Sequence, residues 1–327
     1  MPIGHMMLLL TYRCNLRCSF CLSFNGYWQP EPGIFLPAAR ADKEMTTSNI
    51  IDRVIPQCVK NNVQVIALSG GEVLVRRDAD VIIRELGKSN IRWCLDSNLM
   101  LCTQHIAEEI INSSCDAVFV SLDGPKDVHD KLRGNPDAYD KCIAGLKRLL
   151  LCRNETKDSK TLVLLNCVLQ PGNESVLPDV VRIAAECGVN EVSFQLLSER
   201  NYKRPFAADI AVESIQKAFV NATDLGLKVS VCPLPHPGFE ELKSWFSMPL
   251  RRNFYSGCTN IYNNLRIDPA GNLIPCLEYR LGNILEEDLI DILNGISYKA
   301  FREHLEVKGP FEGCLRCCNM EVNKLGC

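Results

Sequence analysis

The sequence predicts an α/β protein followed by a small cysteine-rich unit, and three observations carry that prediction. Short apolar runs alternate with amphipathic stretches from Met6 to about Leu197. A proline-rich break, Cys232-Pro-Leu-Pro-His-Pro-Gly238, then interrupts the pattern. The 18 cysteines of the 327-residue chain crowd toward its two ends. Alternating strand and helix implies parallel strands joined by right-handed crossovers. Six such repeats fit either a doubly wound sheet or an incomplete α/β barrel, and in both the chemistry gathers at the C-terminal ends of the strands.

The candidate strands are Met6 to Thr11, Val63 to Leu68, Ile91 to Leu95, Ala117 to Leu122, Leu162 to Leu169 and Glu191 to Leu196, all short apolar runs bounded by polar residues. Between them Ser48 to Lys60, Asp78 to Lys88, Gln104 to Ile111, Ala138 to Leu151 and Ser175 to Cys187 repeat apolar residues at helical spacing. A helical stretch around Ile210 to Leu225 and a strand around Leu227 to Val231 lead to the proline-rich break. This places one domain over residues 1–232, a linker over 233–257 and a second, smaller domain over 258–327. In the smaller unit Leu265 to Ile274 reads as a hairpin with a Pro-Ala-Gly-Asn turn. Short helices are expected near Leu285 to Leu293 and Tyr298 to Leu305. The tail from Gly313 to Cys327 has no periodicity and is expected to be a loop held by whatever its cysteines bind.

Lys and Arg total 36 against 39 Asp and Glu, a formal net charge of -3. Such a balance generates no long-range field to gather nucleic acid or an anionic membrane surface, so neither is an expected partner. Met1 to Leu10 lacks a basic leading region, and the longest apolar stretches fall far short of a membrane span. A cytoplasmic protein is expected. In a reducing compartment the cysteines are metal ligands, redox groups or buried thiols rather than a disulfide framework.

The first cysteine group, Thr11-Tyr-Arg-Cys14-Asn-Leu-Arg-Cys18-Ser-Phe20-Cys21, sets three thiols on one loop after the first strand. Structural zinc needs four closed ligands, and the next candidate, Cys58, falls on a predicted helix. A four-iron cluster held by three cysteines keeps one iron without a protein ligand, where a small molecule can bind. The CxxxCxxC spacing, with Phe20 before the third cysteine, resembles the signature of the radical S-adenosylmethionine (SAM) enzymes. The resemblance implies a 4Fe-4S cluster on Cys14, Cys18 and Cys21 whose unique iron takes the amino and carboxylate groups of SAM. It also implies a partial (β/α)6 TIM-like barrel over about the first two hundred residues.

Further residues match the family in order. Ser69-Gly70-Gly71-Glu72 closes the second predicted strand and is similar to the family's motif for the SAM amino group; two glycines let backbone approach closely, and a carboxylate can pair with an ammonium. Ser121 and Asp123, ending the fourth strand, are similar to residues used on the ribose, with Ser121 the better candidate; either can equally serve as a cap or turn residue. His129-Asp130-x-x-Arg133-Gly134 resembles a stretch common in the family and is read as a charge-paired structural loop. Asn166 and Gln195 point to the same rim, as substrate contacts or as satisfied strand residues.

The second cysteine group gives C-x12-G-x4-C, from Cys258 through Gly271 to Cys276, and then Cys314-x-x-Cys317. The hairpin brings Cys258 and Cys276 together, and four cysteines suit zinc or an iron-sulfur cluster equally by count. After a radical SAM core they resemble the auxiliary-cluster extension of SPASM and Twitch proteins. The full SPASM pattern, CxxC-x5-C-x3-C with a further distal cysteine, is not met. With Cys318 and Cys327 as alternate ligands, the tail fits the one-cluster Twitch form better. The nine remaining cysteines, such as Cys94, Cys167 and Cys187, are read as small buried residues.

The resemblance implies an enzyme that cleaves SAM reductively to a 5′-deoxyadenosyl radical, fed by an external one-electron donor such as flavodoxin or ferredoxin. A small-molecule substrate is expected, in a net oxidation or a carbon-skeleton modification assisted by the auxiliary cluster. A SPASM-type peptide maturase and an iron-sulfur electron-transfer protein are the alternatives. The segment Leu22 to Met45, rich in aromatic residues and prolines, is expected to cover the substrate or to be a disordered insertion. No residue is legible as a catalytic acid or base.

Overall fold

The computed structural model describes residues 3–21, 44–196, 206–232, 242–243, 255–258, 263–275, 279–311, 314 and 321–322. Seven parallel strands run in chain order: β1 (His5–Leu9), β2 (Val65–Ser69), β3 (Arg92–Ser97), β4 (Ala117–Ser121), β5 (Leu162–Leu169), β6 (Glu191–Leu196) and β7 (Lys228–Cys232). The strand expected only as a lead into the break is therefore a full member of the sheet, paired with β6 from Glu191↔Lys228 to Gln195↔Cys232. The crossovers carry α1 (Ile55–Lys60, continuing a π-helical stretch Asn49–Val54), α2 (Ala79–Lys88), α3 (Gln104–Asn112), α4 (Lys126–Arg133), α5 (Ala138–Glu155), α6 (Leu177–Cys187) and α7 (Ala208–Asp224).

Alternate residues of each strand decide the layering. Ile66, Leu68, Leu95, Val118, Val120, Val163, Leu165, Val192, Phe194 and Val231 pack with the helices in one large core. On the opposite face Val65, Ala67 and Cys94, with Ala117 and Phe119 against them, form a separate small cluster that floors the inner surface of the partial barrel. Seven of the nine scattered cysteines are buried, as expected, while Cys187 and Cys232 are only half-buried.

The stretch His129 to Gly134, read as a loop, instead belongs to the helix α4 and its closing glycine. Pro125 precedes it, Asp127 lies in its first turn, Lys131 and Arg133 in its last, and Gly134 closes it at φ 68°. These are ordinary start and stop signals on a segment too polar for periodicity to reveal.

The C-terminal hairpin, β9 (Asn264–Ile267) and β10 (Asn272–Ile274), does not stand apart. β9 pairs in parallel with β1, from His5↔Asn264 to Leu8↔Ile267, and β11 (Gly282–Asn283) follows beyond β10, so the barrel's own sheet continues past its first strand. Asp268 builds the turn by accepting bonds from Ala270 N and Asn272 N, both 2.9 Å. Two helices follow, α8 (Leu289–Asn294) and α9 (Ile296–Val307). Arg53 Nε donates to Ile284 O (2.6 Å), and Leu289 N to Gln57 Oε1 (2.5 Å), tying this unit to the helix between β1 and β2. Leu265, Ile267, Tyr279, Phe301 and Phe311 belong to the same core cluster as Met6 and Leu8. No helix among the described residues is long and apolar enough to cross a membrane.

Candidate functional site

The loop that leaves β1 carries Cys14, Cys18 and Cys21, and two backbone clamps hold it. The first comes from the end of β2. Gly71 N donates to Thr11 O (2.8 Å) and Glu72 N to Arg13 O (3.0 Å), extending the β1–β2 pairing into the loop. A Cβ on Gly70 would lie 2.4 Å from Thr11 O, and one on Gly71 2.3 Å from Arg13 O; Gly70 also sits at φ 132°. Only glycine admits this approach. The close contact that the two glycines permit is with the cysteine loop itself.

The second clamp is the C-terminal end of α4, whose last carbonyls have no partner within the helix. Arg17 N donates to Arg133 O (3.1 Å) and Ser19 N to Leu132 O (2.9 Å). Gly134 is pressed against Arg17 O, where a Cβ would stand 2.7 Å away. Behind the loop Arg76 Nη1 donates to Leu10 O (3.0 Å) and Met45 O (3.2 Å), and Arg13 pairs with Glu44 at 3.0 Å. Thr11 Oγ1 completes this network by donating to Glu44.

All three thiols are half-buried. Leu16 N points at Cys14 Sγ (3.4 Å), and an Arg133 Nη1 donor faces Cys18 Sγ (3.8 Å). Burial, with a smaller contribution from Glu72, pushes the Cys14 thiol up to about 11, so a bare thiolate is disfavoured there. Among the described residues no three His, Cys, Asp or Glu side chains converge closely enough to hold one metal ion. Three thiols on one clamped loop, two of them facing N–H donors, suit a four-iron cluster, in which each cysteine binds a different iron.

The other sequence candidates take distinct places. Glu72 is buried, and its carboxylate accepts from Leu74 N (3.0 Å), Ser97 Oγ (2.8 Å) and Asn98 N (2.8 Å). Burial raises its pKa against these bonds. It ties β2 to the end of β3, while Asn98 Nδ2 reaches Asn15 Oδ1 in the cysteine loop (2.9 Å). Asp123 is fully buried, paired with Arg133 Nε at 2.6 Å and accepting from Val168 N at 2.9 Å. That is a different role from the ribose contact the resemblance implies. The half-buried Phe20 lies under the Arg133 guanidinium, 5.1 Å from ring centroid to Cζ.

Ser121 and Asn166 are brought together: they are register partners on β4 and β5, both half-buried on the inner face. Asn166 pairs onward with Ser193, and Ser193 with Ser230. Gln195 lies one step further along the same face, opposite Val168. Sequence reasoning missed two charged members. Asp96, half-buried, shares this face through Phe119, and Arg266 shares it through Met7. Burial pushes the Asp96 carboxyl up to about 6, against a Ser69 hydrogen bond and the charge of Arg266. The available signal was an acid near the end of the apolar run Trp93-Cys-Leu-Asp-Ser.

In the second group the structure describes Cys258 and Cys314. Cys314 is buried in the core and Cys258 packs partly buried against it. β8 (Tyr255–Gly257), just before Cys258, pairs antiparallel with β12 (Glu321–Val322). Cys276, Cys317, Cys318, Cys327 and the segment 22–43 lie outside the described residues.

Comparison with known proteins finds two domain families in the chain. The model of the radical SAM superfamily matches residues 8–172, and that of the SPASM iron-sulfur cluster-binding domain matches residues 258–318. The chain is 24% identical over 309 residues to a GTP 3′,8-cyclase of Clostridium perfringens, covering 92% of this chain and 88% of the relative. It is 26% identical over 302 residues to a probable GTP 3′,8-cyclase of Sulfurisphaera tokodaii, covering 90% and 86%. In fold it is similar to SuiB of Streptococcus suis bound to S-adenosylmethionine, with a TM-score of 0.70 at 18% identity over 100% of this chain and 73% of SuiB.

Proposed function

This chain belongs to the radical SAM superfamily and is an enzyme with a SAM-binding 4Fe-4S cluster and an auxiliary iron-sulfur cluster, and we propose that its radical acts on a small polar molecule. The observation that carries this reading is the inner face of the sheet. Ser69, Asp96, Ser121, Asn166, Ser193, Gln195 and Ser230 lie on it in register, with Arg266 at its β1 edge. These groups supply donors and acceptors at several heights, which fixes the orientation of a molecule rich in hydroxyl or amino groups. The relatives named GTP 3′,8-cyclase support a small-molecule substrate class.

When bound, the cluster supplies the electron that cleaves SAM to a 5′-deoxyadenosyl radical. The chain's own residues hold the loop, orient the two bound molecules and keep water from the reacting carbon. Ser121, with the adjoining end of β4, is assigned to SAM, and Asn166, Gln195 and Asp96 to the substrate. The reading includes a flavodoxin- or ferredoxin-type electron donor, and a net oxidation or carbon-skeleton change assisted by the auxiliary cluster on Cys258, Cys276, Cys314 and Cys317.

The test is anaerobic incubation of reduced, cluster-loaded protein with SAM and either the dialysable or the peptide fraction of a cell extract. Only the dialysable fraction is expected to stimulate 5′-deoxyadenosine formation. Stimulation by peptides alone would assign a peptide maturase instead.

A further inference from the structure

We propose that Arg133 is a positioning residue that raises the electron affinity of the cluster on Cys14, Cys18 and Cys21, and that Asp123 holds it in place. This rests on the assignment of those three cysteines to the SAM-binding cluster. Arg133 is 7% exposed and makes three contacts. Its Nε meets Asp123 Oδ2 at 2.6 Å. Its Nη1 edge is turned to Cys18 Sγ at 3.8 Å. Its Cζ lies 5.1 Å from the centroid of Phe20, inside the cysteine loop.

A buried ion pair used only for packing would need neither of the last two contacts. The carboxylate takes the Nε side and leaves the rest of the planar fork for the loop. Asp123 is itself pinned. Its Oδ1 accepts from Val168 N (2.9 Å), its carbonyl from Asn173 Nδ2 (3.0 Å), and its own N–H donates to His129 Nδ1 (3.1 Å). His129 and Arg133 share α4, so one helix carries both the cation and the group that fixes its counter-ion. The same helix end clamps Arg17 and Ser19, which locks the distance between guanidinium and loop.

An arginine cannot shed its proton, and a buried charge is little screened by salt. Its proximity to a ligand sulfur favours the cluster state that holds the additional electron. Hydrogen bonds to cysteine sulfurs and local charge are the levers by which proteins set such potentials.

The experiment is an EPR-monitored redox titration of the anaerobically loaded full-length chain, following the signal that changes on addition of SAM and counting iron per chain. Arg133→Gln is expected to lower the reduction equilibrium constant of that signal about tenfold, 59 mV for a one-electron couple. Arg133→Lys, which keeps the charge, is expected to recover most of the shift. Asp123→Asn removes the opposing charge and is expected to move the midpoint the other way. If Arg133→Gln loads no cluster, Asp123→Asn decides: a rise supports the proposal, and no change or a fall overturns it. Variants that lose iron while the clusters they retain titrate at the wild-type midpoint would overturn it, leaving a structural role only. A wild-type chain without any SAM-sensitive signal would instead sink the cluster assignment itself.

Discussion

Asp96 shows how one side chain on the inner face ties the site to the stability of the fold. Its carboxyl ordinarily titrates near 3.8 and is pushed up to about 6 by burial. Between those two values the folded chain binds a proton more tightly than the unfolded chain, so stability falls as pH rises through the window. Asp96→Asn abolishes this titration. The variant is expected to unfold at a higher temperature than the wild type near pH 7, and the gap is expected to close on acidification through about pH 6 toward pH 4. Thermal unfolding of both proteins across that range reads it, and a gap that does not change with pH would contradict the account. A carboxylate kept at such a cost on an inner face supports the substrate role proposed for Asp96. At this scale the sequence was only partly legible. Cys14, Cys18 and Cys21 could be read because their spacing is local. Asp123 could not, because its partner Arg133 lies on another element and its burial depends on β5. Glu72 was recognisable by its motif, while its bonds to Ser97 and Asn98 come from the neighbouring strand.

Among the elements, the cysteine loop has almost no regular structure of its own and is shaped by two neighbours, the end of β2 and the end of α4. Gly71 is the tighter of the β2 contacts. Gly71→Ala would set a methyl group 2.3 Å from Arg13 O, backbone that must then shift. The variant is expected to fold and keep its auxiliary cluster but to lose about four irons per chain, the content of one 4Fe-4S cluster. Iron analysis after anaerobic loading measures this, and wild-type iron in Gly71→Ala would show that the clamp does not set the loop. Strands β1–β7, the β9–β10 hairpin and most helices were legible because apolar periodicity is a property of contiguous residues. α4 was not, because its exposed face is charged and its buried residues, His129, Leu132 and Arg133, are largely polar. Pro125 and Gly134 marked its limits all the same.

For the whole molecule, the C-terminal hairpin and the strand that feeds the first cysteine loop belong to one sheet. The proline-rich break marked the second cysteine group as a unit of its own, yet β9 docks on β1, the strand that feeds the first cysteine loop. Met45 N also donates to Pro269 O (2.6 Å), so the return of the loop segment meets the turn of the C-terminal hairpin. That pairing joins residues far apart in sequence, and no local pattern encodes it. Its consequence is that the sheet edge beside the first cysteine loop is covered by the C-terminal hairpin. The most direct measurement of the central claim is the yield of 5′-deoxyadenosine from SAM under anaerobic reducing conditions, comparing the cluster-loaded wild type with a chain in which Cys14, Cys18 and Cys21 are all alanine. The wild type is expected to form the nucleoside and the triple variant none; equal yields from the two proteins, or none from the wild type with substrate present, would contradict the account.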